Sequence, residues 1–326
     1  MKPTLISQSL KLAYQIKQPI FLWGSPGIGK SQIVKQSAAA LDLPVIDIRA
    51  VLLDPVDLRG LPTIKAGKSH WATPDFLPAK GEGVLFLDEL NAAPPLVQAA
   101  CYQLVLDRKL GEYELPKGYA VIAAGNRESD RAVTHRMPSA LANRFLHLDF
   151  DIDLADWTTW ALANKIETPV IAFLRFRPAL LHSFDPKSSE KAFPSPRSWE
   201  FVSKILSINP SKEIEYELYK GAIGEGAAAE FTGFIRIFRN LPNPDAILMN
   251  PATAPVPDDP ATLYALCGSL ARKASVNTFD RLAEYFGRLP VEFSVMAVRD
   301  CVQICSGITE TRAFIEWCSV NSEVLI

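Results

Sequence analysis

Residues Gly24 to Ser31 read Gly-Ser-Pro-Gly-Ile-Gly-Lys-Ser, a GxxxxGKS loop set between the apolar run Ile20-Phe21-Leu22-Trp23 and a helix-like stretch. Few features constrain a fold more. A strand that runs into such a loop and straight on into a helix calls for a parallel sheet with helical crossovers, the loop lying at the carboxyl edge. Glycines let the backbone close round phosphate with its N–H groups aimed inward, and the following helix presents its positive N-terminus to the same anion. The pattern predicts a nucleoside triphosphate held by Gly24, Ser25, Pro26, Gly27, Ile28, Gly29, Lys30, Ser31 and Gln32. Lys30 is expected to reach the β- and γ-phosphates, and Ser31 to hold Mg²⁺ through its hydroxyl. The bland alternative is a glycine-rich turn at a sheet edge.

The first 152 residues carry the matching strand signals. Short apolar runs at Ile20–Trp23, Val45–Ile48, Val84–Leu87, Val121–Ala124 and Phe145–Leu148 predict a five-stranded parallel sheet in an α/β nucleotide-binding core over 1–152. From residue 153 apolar residues recur at helical spacing, as in Trp157, Trp160 and Ala161 and then Val170, Phe173, Leu174 and Leu180, so an all-helical domain is expected over 153–241. Six prolines between Pro242 and Pro260 suggest an ordered surface linker over 242–260. Asp259-Pro260 then looks like a helix cap followed by proline at the first helical position, opening a helical C-terminal extension over 261–326. Within it, further helices are expected around Phe279–Leu289, Val291–Cys305 and Phe314–Cys318. The small residues of Gly221–Phe234 suggest close helix packing rather than a chemical site.

A second chemical signal is Val84-Leu85-Phe86-Leu87-Asp88-Glu89, a buried strand ending in two acids. Ligands of parallel sheets bind beyond the carboxyl ends of the strands, which brings Asp88 to Mg²⁺, mostly through water, and makes Glu89 the group that polarises the attacking water. Val121-Ile122-Ala123-Ala124-Gly125-Asn126 repeats the design with an amide at its end, and Asn126 is expected near the γ-phosphate. Ser139-Ala140-Leu141-Ala142-Asn143-Arg144-Phe145 is a short helix ending in arginine just before the last strand. Arg144 there either caps carbonyls or stabilises charge on the transferred phosphoryl group.

Composition sets the outer bounds. Hydrophobic residues make up 48% and charged residues 21% of 326, the balance of a globular chain of more than one packed unit. No apolar run reaches the length of a membrane span and Met1-Lys2-Pro3 opens no signal-peptide pattern, so no membrane partner and a cytoplasmic location are expected. Five cysteines without CxxC spacing fit reduced thiols, and Cys301 and Cys305 read as small apolar residues on one helix face. His70, His135, His147 and His182 are dispersed without ligand spacing. A net charge of −2 offers no global attraction to nucleic acid, which is not expected as a partner.

In this order the residues resemble the AAA+ ATPases, and among them the MoxR branch near the dynein and midasin type. The resemblance covers about residues 15 to 210. Gly24–Ser31 corresponds to Walker A, Val84–Glu89 to Walker B and Asn126 to sensor 1, while Leu141-Ala142-Asn143-Arg144-Phe145 resembles the arginine-finger segment. Asp88-Glu89-Leu90-Asn91 is similar to that branch's Asp-Glu-Ile-Asn. Phe193-Pro194-Ser195-Pro196-Arg197-Ser198-Trp199 resembles the sensor 2 motif of the helical lid, which implies a nucleotide-sensing role for Arg197, in cis or in trans. Two insertions, Leu61–Trp71 and Arg108–Leu115, resemble the helix 2 insert and pre-sensor 1 hairpin, which implies that Lys65, Lys68, His70 and Trp71 grip a partner; the alternative is that Trp71 packs on its own domain while the lysines are solvated.

The resemblance further implies a homo-oligomeric ring, a hexamer, in which Arg144 is supplied by the neighbouring subunit. ATP hydrolysis would be coupled to remodelling or activation of a protein client, plausibly one with a von Willebrand factor A domain. Two other classes stand beside this reading. One is a nucleic-acid-stimulated motor or nuclease-associated translocase; the other is a small-molecule kinase or nucleotide switch, which leaves Asn126, Arg144 and Arg197 unexplained.

Overall fold

The computed structural model describes residues 1–130, 135 and 137–322, and the Lys65 side chain lies outside that description. The chain forms two compact units: Met1–Asp153 with Phe184–Ser189, and Leu154–Ser183 with the chain from Glu190 on.

All five apolar runs become strands of one sheet in the first unit. In chain order the strands of that unit are β1 (Ile20–Trp23), β2 (Val45–Arg49), β3 (Leu61–Lys65), β4 (Lys68–Ala72), β5 (Glu82–Asp88), β6 (Lys109–Leu110), β7 (Tyr113–Glu114), β8 (Gly118–Gly125) and β9 (Leu146–Asp149). The main sheet has the order β2-β5-β8-β1-β9, and every pairing in it is parallel. Alternate residues feed two cores. Phe21, Leu85, Leu87, Val121 and Ala123 pack with Val97, Cys101 and Leu104 of helix Pro95–Asp107. Ile20, Leu22, Val84, Phe86, Ile122 and Ala124 pack with Ile6 and Leu10 of helix Pro3–Ile16 and with Val34 and Ala38 of helix Lys30–Ala39. Leu85, Phe86 and Leu87 are wholly buried, and each contributes about 2 kcal/mol relative to an exposed side chain. Strands buried on both faces read as continuous apolar runs, which is why they stand out in the sequence.

Register then fixes the site. Trp23 lies opposite Gly125 and Leu87 opposite Ala123, so the residues that leave β1, β5 and β8 emerge side by side at one edge of the sheet.

Both insertions form hairpins. Ala66 and Gly67, with φ of 51° and 75°, make the two-residue turn between β3 and β4. β6 and β7 form the shorter ribbon, and His70 Nδ1 lies 3.3 Å from Glu112 Oε2, so the two hairpins touch. Trp71 keeps 37% of its surface exposed and Ile64 83%, so the first hairpin presents apolar surface rather than burying it.

The second unit is helical throughout its described residues, as expected. Its expected subdivision is not what forms, and the reason is what the prolines do. Pro244 and Pro260 stand at the first helical positions of Pro244–Met249 and Pro260–Ala271, behind Asn243 and Asp259, whose side chains accept from Asp245 N and Thr262 N at 2.9 and 2.8 Å. Here they start helices instead of interrupting them. Ile247, Leu248 and Ala254 of the expected surface linker are buried among Leu263, Leu266 and Phe286. The expected lid and extension also belong to one compact unit and are bonded to each other: Arg175 of helix Thr168–Phe176 donates Nη2 to Asp300 Oδ1 of helix Val291–Ile304 at 2.6 Å, and Arg272 Nη2 bonds Ile166 O at 2.9 Å. In Gly221–Phe234, Ala227 and Ala228 are buried, whereas a Cβ on Gly221, Gly226 or Gly233 would meet nothing within 4 Å. Of the small residues there, Ala227, Ala228 and Gly224 serve close packing: a Cβ on Gly224, which divides helix Lys212–Ile223 from helix Glu225–Arg239, would lie 2.9 Å from Ala192 O.

Candidate nucleotide site

The phosphate loop is a cradle of backbone. Gly27 and Gly29 lie at φ 78° and 99°, a region open to glycine at little cost, and a Cβ on Gly29 would meet nothing within 4 Å. Glycine is therefore required there by the backbone, not by crowding. Helix Lys30–Ala39 begins at Gly29 with no side-chain cap and no acidic residue in its first turn. No side-chain cap or acid competes there, and that end of the helix fits an anion. Gln32 is exposed on the first turn and Ile28 is buried.

Six of the expected residues meet in hydrogen bonds. Lys30 Nζ donates to Asn126 Oδ1 at 2.8 Å and to the carbonyls of Gly24 and Ser25 at 2.6 and 3.1 Å. Ser31 Oγ donates to Asp88 Oδ2 at 2.7 Å. A hydroxyl beside a carboxylate is a hard-oxygen donor pair of the kind Mg²⁺ takes, completed elsewhere by phosphate and water, so these residues fit the ion. Glu89 follows at the strand end, exposed, with φ 55° and ψ 34°. That left-handed backbone costs a glutamate about 1 kcal/mol. It is held by the Glu89 N–H donating to Asp88 Oδ1 at 3.0 Å and by Leu90, wholly buried just beyond.

Arg144 lies in the same unit on the edge-strand side of the sheet, after helix Ser139–Ala142. Its side chain is exposed with no hydrogen-bond or ion-pair partner among the described residues, while its carbonyl accepts from Gln18 Nε2 at 3.2 Å. Of the two sequence readings, a side chain capping carbonyls does not form among the described residues. Arg197 belongs to the other unit, exposed in the first turn of helix Pro196–Ser207, whose start is fixed by Ser195 and Ser198 in a reciprocal cap and by Trp199, wholly buried with Nε1 on Leu180 O at 2.7 Å.

Three groups beside the site escaped the sequence reading. Asp130, 8% exposed, accepts from Ser25 Oγ and from Arg127 N, both at 3.2 Å, and so ties the phosphate loop to the turn after Asn126. Arg127 reaches Asp151 at 2.7 Å, a bond that raises the guanidinium above its usual value and holds the Asp151 carboxyl below its own. His147 receives the Trp23 indole N–H on Nδ1 at 2.8 Å while Nε2 lies 2.8 Å from Ala142 O, so the ring is neutral with its proton on Nε2. An Asp four residues after Asn126 was a legible signal; the partners of His147 were not. Among the described residues no cluster of His, Cys, Asp and Glu is arranged to hold a metal by itself.

Residues 19–147 match the family described as ATPase family associated with various cellular activities (AAA). The nucleotide-binding core is that of an AAA+ ATPase. A curated relative, midasin from Giardia intestinalis, is 27% identical over 173 residues, which make up 50% of this chain and 4% of that protein. The match accords with the MoxR-like, midasin-related type the sequence resembles, and the chain corresponds to only a small part of that relative. Solved structures similar to this one include NtrX from Brucella abortus in complex with ATP, 12% identical over 98% of this chain and 66% of that one with a TM-score of 0.44. A RuvB mutant from Thermotoga maritima is 14% identical over 97% and 85% of the two chains with a TM-score of 0.37. Among the described residues no helix is long and apolar enough to cross a membrane.

Proposed function

We propose that this chain hydrolyses ATP, with Mg²⁺, as one subunit of a homo-oligomeric ring, a hexamer, and couples hydrolysis to remodelling or activation of a partner protein. The observation that carries the reading is the meeting of Lys30, Ser31, Asp88 and Asn126 in hydrogen bonds at the carboxyl edge of the sheet, with Glu89 exposed beside them. Lys30 and the backbone of Gly24–Ser31 would hold the phosphates, and Ser31 and Asp88 would hold the ion, which supplies charge neutralisation when bound. Glu89 orients and polarises water, and Asn126 positions it against the terminal phosphate. An exposed arginine without a partner among the described residues suits a group that acts on a neighbour, so Arg144 is assigned to the adjoining subunit's nucleotide. Arg197 is assigned nucleotide sensing from the helical unit, in its own subunit or the neighbour's.

The client is proposed to be a protein, a von Willebrand factor A domain protein, met by the hairpin of β3 and β4 with its exposed Ile64 and Trp71. We place the protein in the cytoplasm on its thiols: Cys101, Cys267 and Cys301 are free and buried, as suits a reducing compartment. Lys30→Ala and Glu89→Gln test the reading together. The first should lose nucleotide binding, whereas the second should bind ATP with near wild-type affinity and turn it over at least a hundredfold more slowly. Wild-type turnover in Glu89→Gln would remove that residue from its role, and turnover stimulated by nucleic acid but by no protein would replace the client with a polynucleotide.

A further inference from the structure

Ser31 to Asp88 ties the phosphate loop to the end of β5, and Lys30 to Asn126 ties it to the end of β8. A third bond joins the two strand ends to each other. Asn91, two residues beyond Glu89 and 2% exposed, donates Nδ2 to the backbone carbonyl of Asn126 at 2.7 Å. A carbonyl only accepts, so the orientation of the amide is set by chemistry. The Asn91 carbonyl in turn accepts from His135 N at 2.7 Å, which holds a residue of the segment leading to the Arg144 helix.

The amide is held at a cost. Its Oδ1 is buried with no hydrogen-bond partner among the described residues. A buried acceptor left unpaired is destabilising, and a native fold keeps one only where something else requires the group. The neighbouring chain is shaped to admit it: a Cβ on Gly125 would lie 2.1 Å from Asn91 Oδ1 and 2.6 Å from its Cγ. Glycine precedes Asn126 because the Asn91 amide occupies the space a side chain would need.

We propose that Asn91 is a positioning residue for hydrolysis, a donor that sets the loop bearing Glu89 against the loop bearing Asn126, so that the water-polarising carboxylate and the Lys30-bound amide keep one spacing. The inference rests on the ATPase reading given above and adds to it a residue that touches neither nucleotide nor water. Loss of the bond lets the two loops move independently while leaving the phosphate cradle intact, so turnover falls and affinity does not.

Four variants of the full chain test this. Asn91→Leu keeps the volume and removes both the donor and the orphan oxygen. It should melt at or near the wild-type temperature, bind a fluorescent ADP analogue within about threefold of wild type, and lose about tenfold in kcat with KM little changed. Asn91→Asp sets a carboxylate against the Asn126 carbonyl and should lose more. Gly125→Ala should lose turnover by displacing the amide, and adding Asn91→Ala to it should cost nothing further. If Asn91→Leu and Asn91→Asp turn over like wild type while Glu89→Gln does not, the positioning role is overturned and the ATPase reading stands. If affinity and melting temperature fall in step with kcat, Asn91 is structural only and the proposal is overturned. No hydrolysis by the wild-type chain, alone or assembled, overturns both.

Discussion

Replacing Arg239 by methionine removes the charge that makes a buried glutamate tolerable. Glu215 keeps 5% of its side-chain surface exposed and Arg239 keeps 38%. The guanidinium donates to both carboxylate oxygens at 3.0 and 2.6 Å, and Tyr219 Oη adds a bond of 2.8 Å. Burial pushes the Glu215 carboxyl up, but Arg239 and then Tyr219 outweigh it and hold the group below its ordinary value of 4.5. A depressed carboxyl contributes stability that is fully present above its unfolded value and lost as pH falls through the lower folded value. Methionine keeps the stem and removes the charge, so burial prevails and the sign reverses. In the variant, charged Glu215 destabilises the fold at neutral pH, and the deficit shrinks as the pH falls through the carboxylate range. An abandoned buried charge costs about 3–5 kcal/mol, and because water already reaches the Arg239 end of this pair about 2–3 kcal/mol applies at pH 7. For a unit of this size that lowers the melting temperature by roughly 5–10 °C. Circular-dichroism melts at pH 7 and pH 4 read the effect, and Arg239→Met/Glu215→Gln, which removes both charges, should recover much of it. An equal deficit at the two pH values, or a double variant as unstable as the single one, would refute the reasoning.

Arg144→Ala should keep ATP binding and lose about a thousandfold in turnover. Mixed with Glu89→Gln subunits it should regain part of the activity, and co-assembled rings that show no recovery would take Arg144 out of the trans role. His147→Phe keeps an aromatic ring beside Phe21 and Trp23 but loses both hydrogen bonds, with a cost of about 1–2 kcal/mol in denaturant unfolding; in the wild type, nitrogen NMR should show a neutral His147 with its proton on Nε2, and a proton on Nδ1 instead would contradict the geometry. Replacing Lys65, Lys68 and Trp71 together by alanine should leave basal ATPase activity nearly unchanged and abolish its response to the client. An unaltered response would clear the hairpin of β3 and β4 as the contact and move attention to the helices from Pro260 on.

What the sequence made legible follows from which forces act locally. The loop Gly24–Ser31, the runs that became β1, β2, β5, β8 and β9, and the acids and amide at the strand ends are properties of consecutive residues, and strands buried on both faces announce themselves as apolar runs. The capping of helix Pro260–Ala271 by Asp259 was likewise readable from two adjacent letters. Proline content over 242–260 misled because one residue type has opposite effects at a first helical position and in a helix interior; only the caps Asn243 and Asp259 distinguish them, and the burial of Ile247 and Leu248 depends on partners up to some forty residues away.

Asn91 shows the same limit inside the site. Its place two residues after Glu89 was visible, but its meaning lies in a bond to Asn126 and a clash avoided at Gly125, both across the sheet. The strand ends supply the reacting groups, and a single sequence can name those. Their mutual spacing is set by groups such as Asn91 and Asp130, whose partners lie 35 and 105 residues away. An unpaired buried oxygen would relax if the amide were free to turn toward water. Here it cannot turn without giving up the Asn126 carbonyl, so the bond that aligns the two loops is also what keeps the cost in place.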